Sequence, residues 1–398
     1  MRYAATAFAL ILSLNSGKLY AACTNGTQPS GAKYRICMPS GTWNKQLLVY
    51  AHGYVAPDQP VAIPEDQLTL PDGTSLPDSF TAFGYAFAIT SYRTNGLVIL
   101  DGQDDLIELT GIFSRQFGKP DKTFLGGVSE GGVIATLLAE RFPPAFDAAL
   151  GACGPIGSFS GQINYIADVR VLFDYFFPGV LPGSVVSVPL QLWTNWETVY
   201  VPAIKAALAS NPTQRQSFLN TSLIPIAADA AVTNQNVVAA LQYSAMATND
   251  AIAKLKGQPY DNRDRYYFGS TNDAELNSKI PRYTADPAAI KTMRRYETSG
   301  KPRIPLVTLH TIADPVIPWA HELGYYFKVA ANGDLRNLTQ IPVFRNGHCN
   351  FTVGDVLFAF IVMVAQDSGR SANTVMMELP EAQRQLIPAE ARSALSIQ

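Results

Sequence analysis

Ser129 stands in Gly127-Val128-Ser129-Glu130-Gly131, a serine with a glycine two residues to either side. A serine hydroxyl barely ionises at neutral pH, so it becomes a nucleophile only beside a base that takes its proton and donors that hold developing negative charge. The chain offers four histidines as bases: His52, His310, His321 and His348. Among the carboxylates, Asp314 follows the apolar run Ile304-Pro305-Leu306-Val307-Thr308-Leu309-His310, and it precedes His348 by 34 residues. Serine, carboxylate and imidazole together would carry out acyl transfer to water. Each also has a plainer reading: a glycine-rich turn, a helix N-cap at Asp314, and buried histidines satisfied by hydrogen bonds.

Such chemistry needs elements that bring distant residues together. Residues 45–54, 85–92, 122–128 and 146–154 read as short buried strands, being apolar runs bounded by turn residues. Between them, 101–118 carries Leu106, Leu109, Ile112, Phe113 and Phe117 at helical spacing, and 130–142 is a helix stopped by Pro143-Pro144. Alternating strands and helices imply a mostly parallel sheet flanked by helices, an α/β class. The alternation pauses over 155–289, where Tyr, Phe, Trp and Pro accompany helical patches. It resumes with strands at 304–310 and 337–348 and helices at 316–330 and from Val353. The expected organisation is a core of 23–154 and 290–398, with a helical cap inserted at 155–289, after the strand that follows the helix of Ser129.

Gly127-x-Ser129-x-Gly131 between a strand and a helix resembles the nucleophile turn of the α/β-hydrolase superfamily, and the resemblance extends over the whole of 23–398. It implies the α/β-hydrolase fold and the chain order nucleophile, acid, histidine. Ser129 would be the nucleophile, His348 in Arg345-Asn346-Gly347-His348-Cys349 the base, and Asp314 the acid, with Asp334 as the alternative on a later loop. Two N–H groups would form the oxyanion hole, one from Glu130 and one from Tyr54, with Gly53 allowing close approach of the backbone.

The totals are compatible with an enzyme of this kind. Hydrophobic residues make up 47% and charged residues 16% of 398 residues, the balance of a packed globular chain. A net charge of −2 without any Lys/Arg run excludes nucleic acid as the expected partner. No cofactor or metal is expected, since the histidines and cysteines lack ligand spacing. Residues 1–22 read as a signal peptide, with a basic start, an apolar stretch from Ala4 to Leu14 and a small-residue exit. Secretion to an extracellular or periplasmic space, with no stable membrane insertion, is the expectation; a lipid on Cys23 is the alternative.

Four cysteines suit an exported protein with two disulfides. Cys23 and Cys37 bracket a hairpin and should pair locally. Cys153 and Cys349 fall at the same sheet edge and either bridge or stay free, the bridge being expected. A cysteine directly after the histidine is similar to the tannase and fungal feruloyl esterase family. That family's partner cysteine immediately precedes the serine, where this chain has Val128, so the resemblance is partial.

The expected substrate is a small carboxylic ester with an apolar or aromatic portion; Phe173, Tyr175, Phe176, Phe177 and Leu181 of the inserted segment are candidates for an apolar wall, the plainer reading for most of them being the segment's own core. A peptidase of the aminopeptidase kind on the same fold is the alternative. A non-catalytic binding protein is the third reading.

Overall fold

A computed structural model describes residues 22–396 apart from 386 and 388. The expected signal peptide therefore lies almost entirely outside the described residues. Eight strands form one sheet: β1 (Ala22–Thr27), β2 (Lys33–Met38), β3 (Gln46–Ala51), β4 (Ala86–Thr90), β5 (Lys122–Val128), β6 (Ala148–Ala152), β7 (Leu306–Ala313) and β8 (Leu338–Asn346). Their order across the sheet is β1-β2-β4-β3-β5-β6-β7-β8. All neighbours from β4 to β8 run parallel, while the β1–β2 hairpin is antiparallel and joins β4 antiparallel.

Side chains alternate between the two sheet faces, as the period of a strand dictates. Leu47, Val49 and Ala51 of β3 enter one apolar core with α2 (Ile99–Phe117) and α3 (Glu130–Arg141). Leu48 and Tyr50 face the other, where α1 (Leu76–Ala82) and later helices pack. Both faces are covered, which is why these strands read as continuous apolar runs rather than as alternating ones.

Between β6 and β7 the chain leaves the sheet for α4 (Phe159–Phe176), α5 (Leu190–Thr194), α6 (Val201–Ser210), α7 (Pro212–Ser222), α8 (Ala230–Leu255), α9 (Asp273–Lys279) and α10 (Pro287–Met293). Much of this insertion packs on a core of its own, built from residues such as Phe173, Trp196, Phe218 and Leu241. The chain then returns through β7, α11 (Ala320–Asn332), β8, α12 (Val353–Ser368) and α13 (Ala372–Met377).

Two disulfides are present. Cys23 and Cys37 are register partners in the β1–β2 hairpin and are bridged, so the Cys23 sulfur is not available to a lipid. Cys153, just beyond β6, is bridged to Cys349, just beyond β8.

Candidate active site

Ser129 is the residue between β5 and α3, and its backbone sits at φ 56°, ψ −118°. A side-chain-bearing residue enters this region only at a cost of about 1–3 kcal/mol, and only where its surroundings hold it there. Here Ser129 N–H donates to the Ala152 carbonyl at 2.9 Å, and the Ser129 carbonyl takes Gly132 N–H at 2.9 Å. The glycines answer a steric demand. A Cβ on Gly131 would lie 2.0 Å from the Ala51 carbonyl oxygen, and one on Gly127 2.0 Å from the Gly131 oxygen. The turn closes only because both are hydrogen.

His348 lies just past β8, with Nε2 2.9 Å from Ser129 Oγ and Nδ1 2.7 Å from Asp314 Oδ2. Asp314 directly follows β7 and is fully buried. Its Oδ1 accepts the N–H groups of Val316 at 2.8 Å and Ile317 at 2.9 Å, which leaves Oδ2 to face the imidazole. With Nδ1–H donated to that carboxylate, Nε2 is the atom that accepts from the serine hydroxyl. The N-cap reading of Asp314 and the role of orienting His348 are thus met by different oxygens of one carboxylate. Asp334, the alternative acid, lies before the start of β8, at the opposite end of that strand from His348, and is not brought to the site.

The other histidines are buried elsewhere. His310 Nδ1 meets Glu322 at 3.1 Å and Nε2 meets the Ile317 carbonyl at 2.9 Å. Burial opposes charge on His310, but Glu322 and Asp314 together lift its pKa above the usual value. Burial lowers His52 to about 4, and burial followed by repulsion from His310 lowers His321 to about 3. His52 stacks on Tyr92 with ring centroids 4.1 Å apart.

Gly53 approaches the nucleophile so closely that an added Cβ would come within 3.1 Å of Ser129 Cβ. Its N–H is already donated to Gln67 Oε1 at 2.7 Å, and Gln67 Nε2 in turn meets the Tyr54 carbonyl at 3.3 Å. Gln67 therefore ties Gly53 and Tyr54 to one side chain beside the nucleophile. The Glu130 side chain is buried, which pushes its carboxyl up to about 8. Oε1 accepts Val98 N–H at 2.8 Å, while Oε2 has no partner among the described residues.

Tyr243, from α8 of the insertion, was not singled out from the sequence, where it sits in an ordinary helical run without a motif. Its ring meets the His348 ring edge-on, with the centroids 6.1 Å apart. Burial pushes this phenol up to about 12, so it stays neutral. Cys349 Sγ lies 3.4 Å from His348 Nε2. Cys153, Cys349 and His348 cluster within 4.8 Å, yet both sulfurs are spent in the disulfide, so no thiolate is present to hold a metal.

Two apolar cavities meet at Ser129. One, of about 130 Å³, lies against α4 and α8 and is lined by Val133, Ile163, Ile166 and Ala247. The other, of about 260 Å³, runs along the sheet face that carries α1 and α12. Phe173, Tyr175, Phe176, Phe177 and Leu181, the candidates for a wall, line neither cavity. Phe173, Phe176 and Phe177 instead surround Phe218 in the insertion's own core, with Leu181 buried and Tyr175 packed beside them. The first half of α4, with Phe159, Gln162, Ile163 and Ile166, looks onto the serine's cavity, while Phe173 and Phe176 belong to its second half.

A mostly parallel sheet in the order above, with a strained serine between its fifth strand and the next helix, a carboxylate after the seventh and an imidazole after the eighth, decides the architecture. The chain has the α/β-hydrolase fold. No family model and no curated protein matches its sequence. Among solved structures it is similar to Candida antarctica lipase A in its closed state, at 13% identity and TM-score 0.45, over 94% of this chain and 85% of the lipase. It is also similar to feruloyl esterase B from Aspergillus oryzae, at 16% identity and TM-score 0.42, over 87% and 80% of the two chains. An acylaminoacyl peptidase from Pyrococcus horikoshii matches at 12% identity and TM-score 0.40 over 83% of this chain, which spans only 38% of the peptidase.

Proposed function

We propose that this α/β-hydrolase-fold protein is a serine esterase that cleaves carboxylic esters through Ser129, His348 and Asp314 and an acyl-enzyme intermediate. The observation that carries the reading is the unbroken line of hydrogen bonds from Ser129 Oγ to His348 Nε2 at 2.9 Å and from His348 Nδ1 to Asp314 at 2.7 Å. As Oγ attacks the ester carbonyl, its proton passes to Nε2, and the fixed carboxylate stabilises the imidazolium. The carbonyl oxygen becomes negative within reach of the Glu130 and Tyr54 N–H groups, at the positive end of α3. The Nε2 proton then goes to the leaving alcohol, and water attacks the acyl-enzyme by the same route.

Apolar walls on both sides of Ser129 favour an apolar acyl or alcohol portion over a charged one. In this reading residues 155–289 act as a cap over the core formed by 23–154 and 290–398, roofing the serine through α4 and Tyr243. Two disulfides fit an exported protein, and no helix among the described residues is long and apolar enough to cross a membrane.

Nitrophenyl esters and aminoacyl nitroanilides, assayed with Ser129→Ala as control, test the proposal. Ester turnover that disappears in the variant supports it. Turnover unaffected by the substitution overturns it, and amide turnover exceeding ester turnover would install a peptidase in its place.

A further inference from the structure

The two cavities share Ser129, Tyr54 and Tyr243 in their walls, so the tyrosines stand where the spaces meet at the nucleophile. The tyrosine rings are 6.3 Å apart, one from the loop after β3 and the other from α8. An ester has two arms on its carbonyl carbon, and a divided space at the nucleophile can take one arm on each side.

The two spaces differ in one chemically decisive respect: His348 lines only the larger. Gly126 of β5 lines the second cavity and puts no side chain into it. A Cβ there would meet only Leu48 Cδ1, at an ordinary 3.6 Å. Tyr50, Leu150, Phe80 and Phe360 complete an apolar wall, with exposed Thr69 and Pro71 at its outer end.

We infer that the larger cavity, on the sheet face of Gly126 and Leu150, receives the alcohol arm of an ester with apolar groups on both sides, and that the cavity against α4 and α8 receives the acyl arm. The inference rests on the serine esterase reading above. When the tetrahedral intermediate collapses, the bond between the carbonyl carbon and the leaving oxygen breaks, and that oxygen takes the proton from His348 Nε2. The leaving oxygen must therefore lie on the imidazole's side of Ser129. The alcohol must also depart before water can take its place, and the Thr69–Pro71 end gives it an exit that does not pass the acyl group.

Hexyl acetate and ethyl hexanoate are isomers of equal apolar content that differ only in which arm is long, so their kcat/KM ratio reads the assignment directly. Gly126→Val narrows the larger cavity and is expected to lower hexyl acetate relative to ethyl hexanoate by about tenfold. Leu150→Phe, on the neighbouring strand, should do the same and guards against a variant that fails to fold. Ala247→Phe, in the smaller cavity, should move the ratio about tenfold the other way. A reversed pattern, or equal losses for both isomers in every variant, overturns the assignment while leaving Ser129-dependent hydrolysis intact. Absence of Ser129-dependent turnover of either isomer instead removes the esterase reading, and this inference with it.

Discussion

At the sheet rim, Ser129 and Asp314 each occupy the first position beyond a strand and His348 the second, so the backbone of β5, β7 and β8 sets where they begin. In the helical insertion the polar groups meet by a different route. There Asp168 is held by Arg265 and by the hydroxyls of Tyr260 at 2.7 Å and Tyr267 at 2.6 Å, residues on irregular segments nearly a hundred positions away. Burial raises the pKa of this carboxyl, against the pull of Arg265. The first arrangement depends on parallel strands that share one edge, and a strand shifted by one residue would turn its side chain away. The second depends on side chains packing around one another. Rim substitutions should therefore remove chemistry and spare the fold, while substitutions inside the insertion should cost stability first.

The sharpest attempt to break this contrast is Ser129→Ala. It is expected to lower ester kcat by about 10⁴–10⁶-fold, and Asp314→Asn by about 10⁴-fold, with thermal unfolding little changed in the serine variant. In the insertion, Phe173→Ala removes a fully buried ring and should cost about 3–5 kcal/mol in denaturant unfolding. Its kcat for a small acetate ester should fall far less than that of Asp314→Asn, and an equal fall would erase the distinction.

The disulfides sharpen the comparison further. The Cys153–Cys349 bridge spans 196 residues and Cys23–Cys37 only 14. Chain entropy alone then gives the long bridge the larger stabilisation, about 5 against 3 kcal/mol. Paired Cys→Ser variants should unfold in that order, and only the long-bridge variant should also lose kcat, because Cys349 adjoins His348.

The smallest effect expected is with pH. The folded-state pKa values of His52 and His321 are depressed, to about 4 and about 3, so each contributes stability that is present above the ordinary value of about 6.5. That stability is lost as pH falls through the folded values, on the order of 1–3 kcal/mol for His52. Tm should decline between pH 6.5 and 4, and His52→Gln should flatten that decline. An unchanged slope would mean that other groups govern acid stability.

The elbow was legible in the sequence because its demands are local: a strand, glycines where the backbone nearly touches, and a helix. Asp314 and His348 were legible because each follows a recognisable strand. Gln67 and Tyr243 were not, since their importance arises from approach across the fold rather than from neighbours in the chain. Phe173, Phe176 and Phe177 left two readings open for a related reason: their helical spacing marks an apolar face without saying which apolar surface it meets. The hollow at Gly126 was equally invisible, because a missing side chain signals space only once the facing helices are in place.

The bridge from Cys153 to Cys349 closes a covalent ring around the entire excursion of the chain from β6 to β8. A protease that nicks an exposed loop of the insertion would therefore leave two polypeptides still joined as one molecule, with the histidine tethered beside the strand it must adjoin. Such a clipped form would separate into pieces only on a reducing gel, because reduction opens the bridge that joins them.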